Sequence, residues 1–304
     1  MDTKPITFNP PTEEAPTILL PVVASLFADR AERFSTLAEG HSLADWLRFL
    51  GDVTRAQHAA LQQLPPLDLP PAATIEQALT HGMPPLNASA LARPAAWRDA
   101  LHQIVDALLP GAPAQTRDIL TALRAAPDAH LETLADALLK DGAPNSEAAA
   151  GELPLVAAAL QVVWTRLASQ LDASQLKPLE TPGVCPCCGS LPVGSVVRLG
   201  AAVNNLRYLH CALCNTEWNV ARATCTSCGT DKGMALQQIE GASGSMRAET
   251  CDSCKSYLKI AYQEKDPNVD PVADDLATLA LDLLVDDAGF SRSGPNLLLV
   301  NTAG

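Results

Sequence analysis

Nine cysteines stand between residues 185 and 254, with none before and none after. Eight of them form four C-x-x-C pairs: Cys185/Cys188, Cys211/Cys214, Cys225/Cys228 and Cys251/Cys254. A C-x-x-C turn lets two thiolates reach one metal while backbone N–H groups point at sulfur. Two such turns supply the four soft ligands of a tetrahedral site, which suits zinc or iron. A disulfide framework would spread its cysteines along a secreted chain. Clustering in C-x-x-C pairs points instead to metal and a reducing compartment.

The spacing repeats. Cys188 and Cys211 are separated by 22 residues, as are Cys228 and Cys251, so the whole C-x2-C-x22-C-x2-C unit recurs with a period of 40. The similarity extends past sulfur. Gly189 matches Gly229, Arg207 matches Arg247, Val196 and Leu199 match Leu236 and Ile239, and Val220 matches Ile260. This is a tandem duplication. A cross-braced arrangement would join the first pair to the third. The repeat argues for tandem sites, Cys185, Cys188, Cys211 and Cys214, then Cys225, Cys228, Cys251 and Cys254. Gly189 and Gly229 follow the second Cys of a pair, where a residue tolerating positive φ relieves the turn. Asn215 and Lys255 replace glycine in the other two pairs.

Four protein ligands leave no open position for a catalytic water, which excludes a metal hydrolase; iron would permit one-electron redox. Cys187 lies between two ligands and reads as a bystander thiol. His210 adjoins an already complete site and reads as a strand residue, and Trp218 as packing over the first ribbon.

The 22-residue gap fits a β-hairpin, with strands over 196–199 and 206–210 and Asn204-Asn205 near the turn. In the second unit the turn falls at 241–245. A third strand follows each fourth Cys, at 217–221 and 257–261. Each ribbon has too little core to fold alone, so metal must supply much of its stability, roughly 10 kcal/mol or more per site.

The rest of the chain reads as helical, and the fold class is α plus small β. Residues 1–178 form an all-helical domain, with 1–16 Pro-rich, acidic and loosely ordered. From 19 to 63, apolar residues recur at three- and four-residue spacing: Leu26, Ala31, Phe34 and Leu37, then Leu43, Trp46, Leu47, Leu50 and Val53. Gly40 interrupts, and Ser42 is placed to N-cap the second helix. Four prolines in 65–71 end it. Helices are expected over 74–80, 94–109, 114–125, 128–140 and 153–171, with a small-residue linker at 141–152. His41, His58, His81, His102 and His130 show no shared ligand spacing and read as surface or capping residues. A second linker at 178–183 precedes the first module (183–222) and the second (223–264). The tail (265–304) carries one helix, capped by Asp270 and ended by Gly289, with an apolar stripe of Val272, Leu276, Leu279, Leu283 and Leu284. Its first-turn acids, Asp274 and Asp275, suit the positive end of the helix dipole.

The formal net charge of −13 argues against nucleic acid and anionic lipid as partners and allows a basic protein surface. No stretch approaches the roughly 20 apolar residues of a membrane span. Residues 17–27, TILLPVVASLF, could imitate a signal-peptide core, but the upstream flank holds one Lys and three acids and Pro21 sits inside it. An N-terminal helix or turn is the expectation there, in a cytoplasmic protein.

The chain resembles the FdhE family of formate dehydrogenase accessory proteins. The resemblance is carried by CPCCGSLPVGS at 185–195, RYLHCALCNTEW at 207–218 and CTSCG at 225–229. It continues in VADDLATLALDLLVDDAGFSRSGPNLLLV at 272–300 and RAERFSTLAEGHSLADWLRFL at 30–50, and so runs nearly end to end. It implies a helical domain followed by two rubredoxin-like modules holding two metal ions, iron by the family's habit. It also implies a cytoplasmic, non-enzymatic factor required for active respiratory formate dehydrogenases. The implied partner is their catalytic subunit, a twin-arginine-exported selenoprotein, and homodimerisation is implied too. The eight paired cysteines carry over as ligands by position. Two other readings compete: a rubredoxin-type electron carrier, for which the large helical domain is superfluous, and a zinc-ribbon nucleic-acid binder using Arg198, Arg207, Arg222, Arg247, Lys255 and Lys259. Interleaved acids such as Glu217, Glu249 and Asp252 weigh against the second.

Overall fold

The computed structural model describes residues 15–140, 151–200 and 202–299. The expectations for 1–14 and for most of the 141–152 linker lie outside those residues.

Helices dominate up to residue 169: α1 (Leu26–Leu37), α2 (Ala44–Gln63), α3 (Ala72–Thr80), α4 (Ala96–Leu108), α5 (Ala114–Ala125), α6 (Asp128–Leu139) and α7 (Leu153–Ser169). Proline sets many of their limits. Leu64 turns extended before Pro65 and ends α2, while Pro113 and Pro127 stand extended at the N-caps of α5 and α6. α7 is apolar around most of its circumference, so it must be buried on most sides. It lies at the centre of the bundle against α2, α4 and α6, with Trp164 fully enclosed.

Two expectations fail here. Ser42 does not cap α2: Leu43 holds that position with no side-chain cap. The local bond is made by His41, whose Nδ1 accepts the Leu43 N–H at 3.0 Å while Nε2 lies 2.9 Å from the Ala277 carbonyl. The apolar segment 17–27 is not one helix or turn. Pro21 blocks an early start, and Ile18–Leu19 form a strand, β1, on the edge of the C-terminal sheet. The N-terminal part is therefore helical but not all-helical.

Each repeat unit forms three antiparallel strands. The first gives β2 (Pro192–Val197), β3 (Arg207–Cys211) and β4 (Glu217–Val220). The second gives β5 (Met234–Gln237), β6 (Met246–Cys251) and β7 (Ser256–Tyr262). The units are not independent ribbons. β2 pairs in parallel with β7, with Ser195 opposite Ile260 and Val197 opposite Tyr262. The result is one sheet in the order β1-β4-β3-β2-β7-β6-β5, with β8 (Ser291–Arg292) pairing β7. A buried Arg207–Glu249 ion pair joins the middle strands of the two units.

The expected C-terminal helix is two: α8 (Ala273–Ala277) and α9 (Leu279–Asp287), broken at Thr278. Asp270 does cap the start, taking the Val272 and Ala273 N–H groups at 2.9 and 2.7 Å. The break follows from Lys259, on β7. Its buried ammonium donates to the Asp275 carbonyl at 2.7 Å and to the Thr278 carbonyl at 3.0 Å, replacing helix bonds at the end of α8. The apolar stripe changes face there. Val272 and Leu276 are buried, but Leu283 and Leu284 are 69% and 56% exposed, and Leu281 and Val285 turn inward instead. Asp274 and Asp275 are no mere dipole partners. They are buried in ion pairs with Arg33 and with Lys259 and Arg292.

Candidate metal centres

The eight paired cysteines gather into the two expected groups. In each, the four Sγ atoms lie within 4.8 Å of one another. None of the nine cysteines is in a disulfide. Cys185 and Cys214 stand with sulfurs 3.6 Å apart, and Cys188 and Cys211 3.4 Å. In the second group Cys225 and Cys254 are 3.6 Å apart, and Cys228 and Cys251 3.7 Å. Those separations are far too long for S–S bonds. They approach the edge of a tetrahedron with metal–sulfur bonds near 2.3 Å, which is about 3.8 Å. The donor set fits a soft or borderline ion.

Local backbone explains the gathering. The residue after the second Cys of every pair has positive φ: Gly189 at 78°, Gly229 at 75°, Asn215 at 58° and Lys255 at 55°. That left-handed residue folds the turn back, so Gly189 N donates to Cys185 O and Gly229 N to Cys225 O, both at 2.9 Å. The Leu213 and Cys214 N–H groups point at the Cys211 sulfur, each at 3.4 Å, where they stabilise thiolate. β3 and β6 each deliver the third cysteine of a group from their last residue.

The surroundings of the two groups differ. All four cysteines of the first are buried. Leu86 N donates to Cys187 O and Ala88 N to Cys188 O, both at 2.8 Å, so the loop after α3 lies along the first knuckle. From α7, Gln161 Nε2 donates to Ala212 O at 2.8 Å in the second knuckle. In the second group Cys225 and Cys251 are buried, but Cys228 and Cys254 are exposed. Cys187 is buried and outside both groups. Trp218 is buried as expected, its indole N–H donating to Pro182 O at 2.7 Å.

His210 does more than a strand residue need do. It stands opposite Glu217 across β3 and β4, with Nδ1 2.9 Å from the carboxylate. Its Nε2 lies 3.3 Å from Arg30 Nη2 and 3.1 Å from Asn215 Oδ1. Arg30 donates to Asp270 at 3.0 Å and to Asn215 at 3.1 Å, and Asn215 Nδ2 donates to Thr165 on α7 at 2.8 Å. Burial alone would raise the Glu217 carboxyl, yet the paired Arg198 and His210 hold it down to about 2. This network joins α1, α7 and the tail to the knuckle of the first site, and opens on a cavity of about 980 Å³ lined in part by Arg33, Arg198, His210 and Asp270. No spacing pattern signals it, because its members lie up to 240 residues apart. The available signal was His210 and Glu217 flanking a C-x-x-C turn in a segment that must be buried.

A helical body fused to a duplicated four-cysteine sheet describes a protein with two candidate metal–thiolate centres. The comparisons narrow this. Models of the FdhE N-terminal, central and C-terminal domains match residues 15–181, 184–222 and 223–299. A "Protein FdhE homolog" of Edwardsiella ictaluri is 42% identical over 285 residues, covering 93% of this chain and 91% of its own. One of Rhizobium meliloti is 40% identical over 284 residues, covering 92% of each. The crystal structure of the FdhE protein from Pseudomonas aeruginosa superposes with a TM-score of 0.83 at 37% identity, covering 94% of this chain and 99% of that one. The chain belongs to the FdhE family, as its resemblance to formate dehydrogenase accessory proteins implied. Among the described residues, no helix is long and apolar enough to cross a membrane.

Proposed function

We propose that this chain is a cytoplasmic accessory factor that binds the catalytic subunit of a respiratory formate dehydrogenase during its maturation. Cys185, Cys188, Cys211 and Cys214 hold one metal ion and Cys225, Cys228, Cys251 and Cys254 another. The observation that carries this reading is the pair of complete four-sulfur sets inside an end-to-end family match. Iron in those sets would supply a one-electron couple; zinc would supply structure alone. The protein's own residues present the thiolates, screen the first set from water and hold the sheet to the helices.

The surface favours a protein partner over nucleic acid. Five of the basic residues that could serve a ribbon-type binder already have a partner in the chain, four of them buried or half-buried and Lys255 at the surface. Arg198 pairs with Glu217, Arg207 with Glu249, Lys255 with Asp252 and Lys259 with Asp275, while Arg247 stacks on Tyr262. A net charge of −13 suits a basic face on the partner. The electron-carrier reading draws on the partly exposed second set, and a reversible iron couple with rapid reduction by a reductase would favour it.

The test is anaerobic purification of the full chain with metal analysis and an ultraviolet–visible spectrum, followed by capture of the catalytic subunit and determination of mass in solution. Two ions per chain and a captured subunit are expected, with the mass reporting any homodimer. The double substitution Cys185→Ser/Cys188→Ser should lose capture or cellular formate dehydrogenase activity; wild-type behaviour in it would discard the ligand assignment.

A further inference from the structure

The forty-residue repeat supplies its own control. At equivalent positions the two four-cysteine sets share left-handed knuckle residues and nearly equal sulfur spacings. They also share a hydroxyl two residues beyond the last ligand: Thr216 Oγ1 lies 3.2 Å from Cys214 Sγ, and Ser256 Oγ 3.0 Å from Cys254 Sγ. What differs is the material outside the sulfurs.

The intervening residues of the first set are Pro186-Cys187 and Ala212-Leu213; those of the second are Thr226-Ser227 and Asp252-Ser253. The apolar pairs face protein. A Cβ on Gly189 would meet Pro84 at 3.1 Å, whereas one on Gly229 would meet nothing within 4 Å. Cys188 and Cys214 are 1% and 0% exposed, while their repeat partners Cys228 and Cys254 both reach solvent.

Exposure governs exchange. An ion leaves a four-thiolate site when an incoming ligand takes a coordination position and a thiolate gives one up. Inside the first set a departing thiolate stays buried and unsolvated, and an incoming ligand meets the loop after α3 and α7, so both halves of the substitution are opposed. At the Cys228/Cys254 edge a departing thiolate meets water and an incoming ligand can approach from solvent.

From this contrast we infer that the second set is an exchange site, which passes its ion to soft external ligands such as thiolates and nitrogen chelators through the Cys228/Cys254 edge, while the first keeps its ion. The step is a ligand substitution without change of oxidation state. Each metal–cysteine bond broken is replaced by a metal–acceptor bond, and the freed thiolates take up protons from water. The inference rests on the reading that the eight cysteines are ligands.

The experiment uses the full chain loaded with zinc. Total zinc is read after denaturation, and release from the native protein is followed with 4-(2-pyridylazo)resorcinol in excess. Two equivalents are expected, one released rapidly and the other more slowly by about 10–100-fold, the range over which outer-shell contacts tune metal sites. N-ethylmaleimide added after the rapid phase should label Cys225, Cys228, Cys251 and Cys254 and spare the first set. Cys228→Ser should lose the rapid equivalent and keep the slow one. If that variant does not fold, the wild-type kinetics and labelling still decide. Two equivalents released at one common rate, or labelling that begins at Cys185 or Cys188, overturn this inference alone. A chain holding no zinc at either set overturns the ligand reading as well.

Discussion

Glu217 is a carboxylate where burial by itself would favour the neutral acid, and the adjacent Arg198 and His210 reverse that preference, down to about 2. Its folded value is depressed, so its contribution is present above the unfolded carboxylate range and is lost as pH falls through the folded value. The difference from an ordinary glutamate corresponds to about 3 kcal/mol at neutral pH. Glu217→Gln should therefore unfold at lower urea than wild type at pH 7. The gap should hold down to about pH 5 and narrow below about 4.5. Comparing the two proteins cancels loss of metal in acid; a gap that stayed constant to pH 3 would show that the charge on Glu217 is not what stabilises the junction. Cys187 makes a different case, a buried thiol beside the first set and outside both four-cysteine groups. Cys187→Ala should keep the metal stoichiometry of wild type and lose only about 1 kcal/mol from the small void it leaves. Metal analysis beside a thermal melt separates the two effects, and loss of one equivalent would make Cys187 a ligand.

At the scale of elements, Lys259 decides how the tail meets the sheet. Its ammonium is fully buried, pairs with Asp275 and Asp282, and takes the carbonyls where α8 ends. Removing one partner of such a cluster leaves buried charge uncompensated. Lys259→Ala should cost roughly 3–5 kcal/mol in a denaturant titration. Amide exchange should quicken first across α8 and α9; uniform quickening throughout the chain would place the role of Lys259 elsewhere. The same residue shows where sequence reading stops. Helices α1 to α7 were legible because proline and three- to four-residue spacing are local signals. The hairpins were legible because the repeat aligned them, although the first strand runs over Pro192–Val197 and not 196–199. The break at Thr278 was not, since nothing near Thr278 announces a lysine arriving from β7. Nor was the parallel β2–β7 seam, whose partners Ser195 and Ile260 come from different repeat units, nor β1, a two-residue strand that exists only because β4 offers it an edge. The gathering of the four-cysteine groups was readable, whereas the His210–Glu217–Arg30 junction required the fold.

For the molecule as a whole, the two sets hold different amounts of structure. The first is tied to the helical body at three places: the loop after α3 through Leu86 and Ala88, α7 through Gln161, and α1 and α7 through Asn215. The second touches that body far less. Its first strand, β5, is the open edge of the sheet and largely exposed. Binding free energy at a structural thiolate site is in effect folding free energy, on the order of 10 kcal/mol. Where that energy is felt depends on what is bolted to the site. Cys185→Ser/Cys188→Ser should thus cost amide protection in α7 and in the loop at 84–88 as well as in β2 to β4. Cys225→Ser/Cys228→Ser should loosen β5 to β7 and leave α7 protected, because α7 has no bond to the second set. Hydrogen exchange read by mass spectrometry over residues 153–169 distinguishes the cases. Equal loss in α7 from both double substitutions would mean that the parallel seam transmits disorder across the whole sheet, and that the two sets form a single cooperative unit.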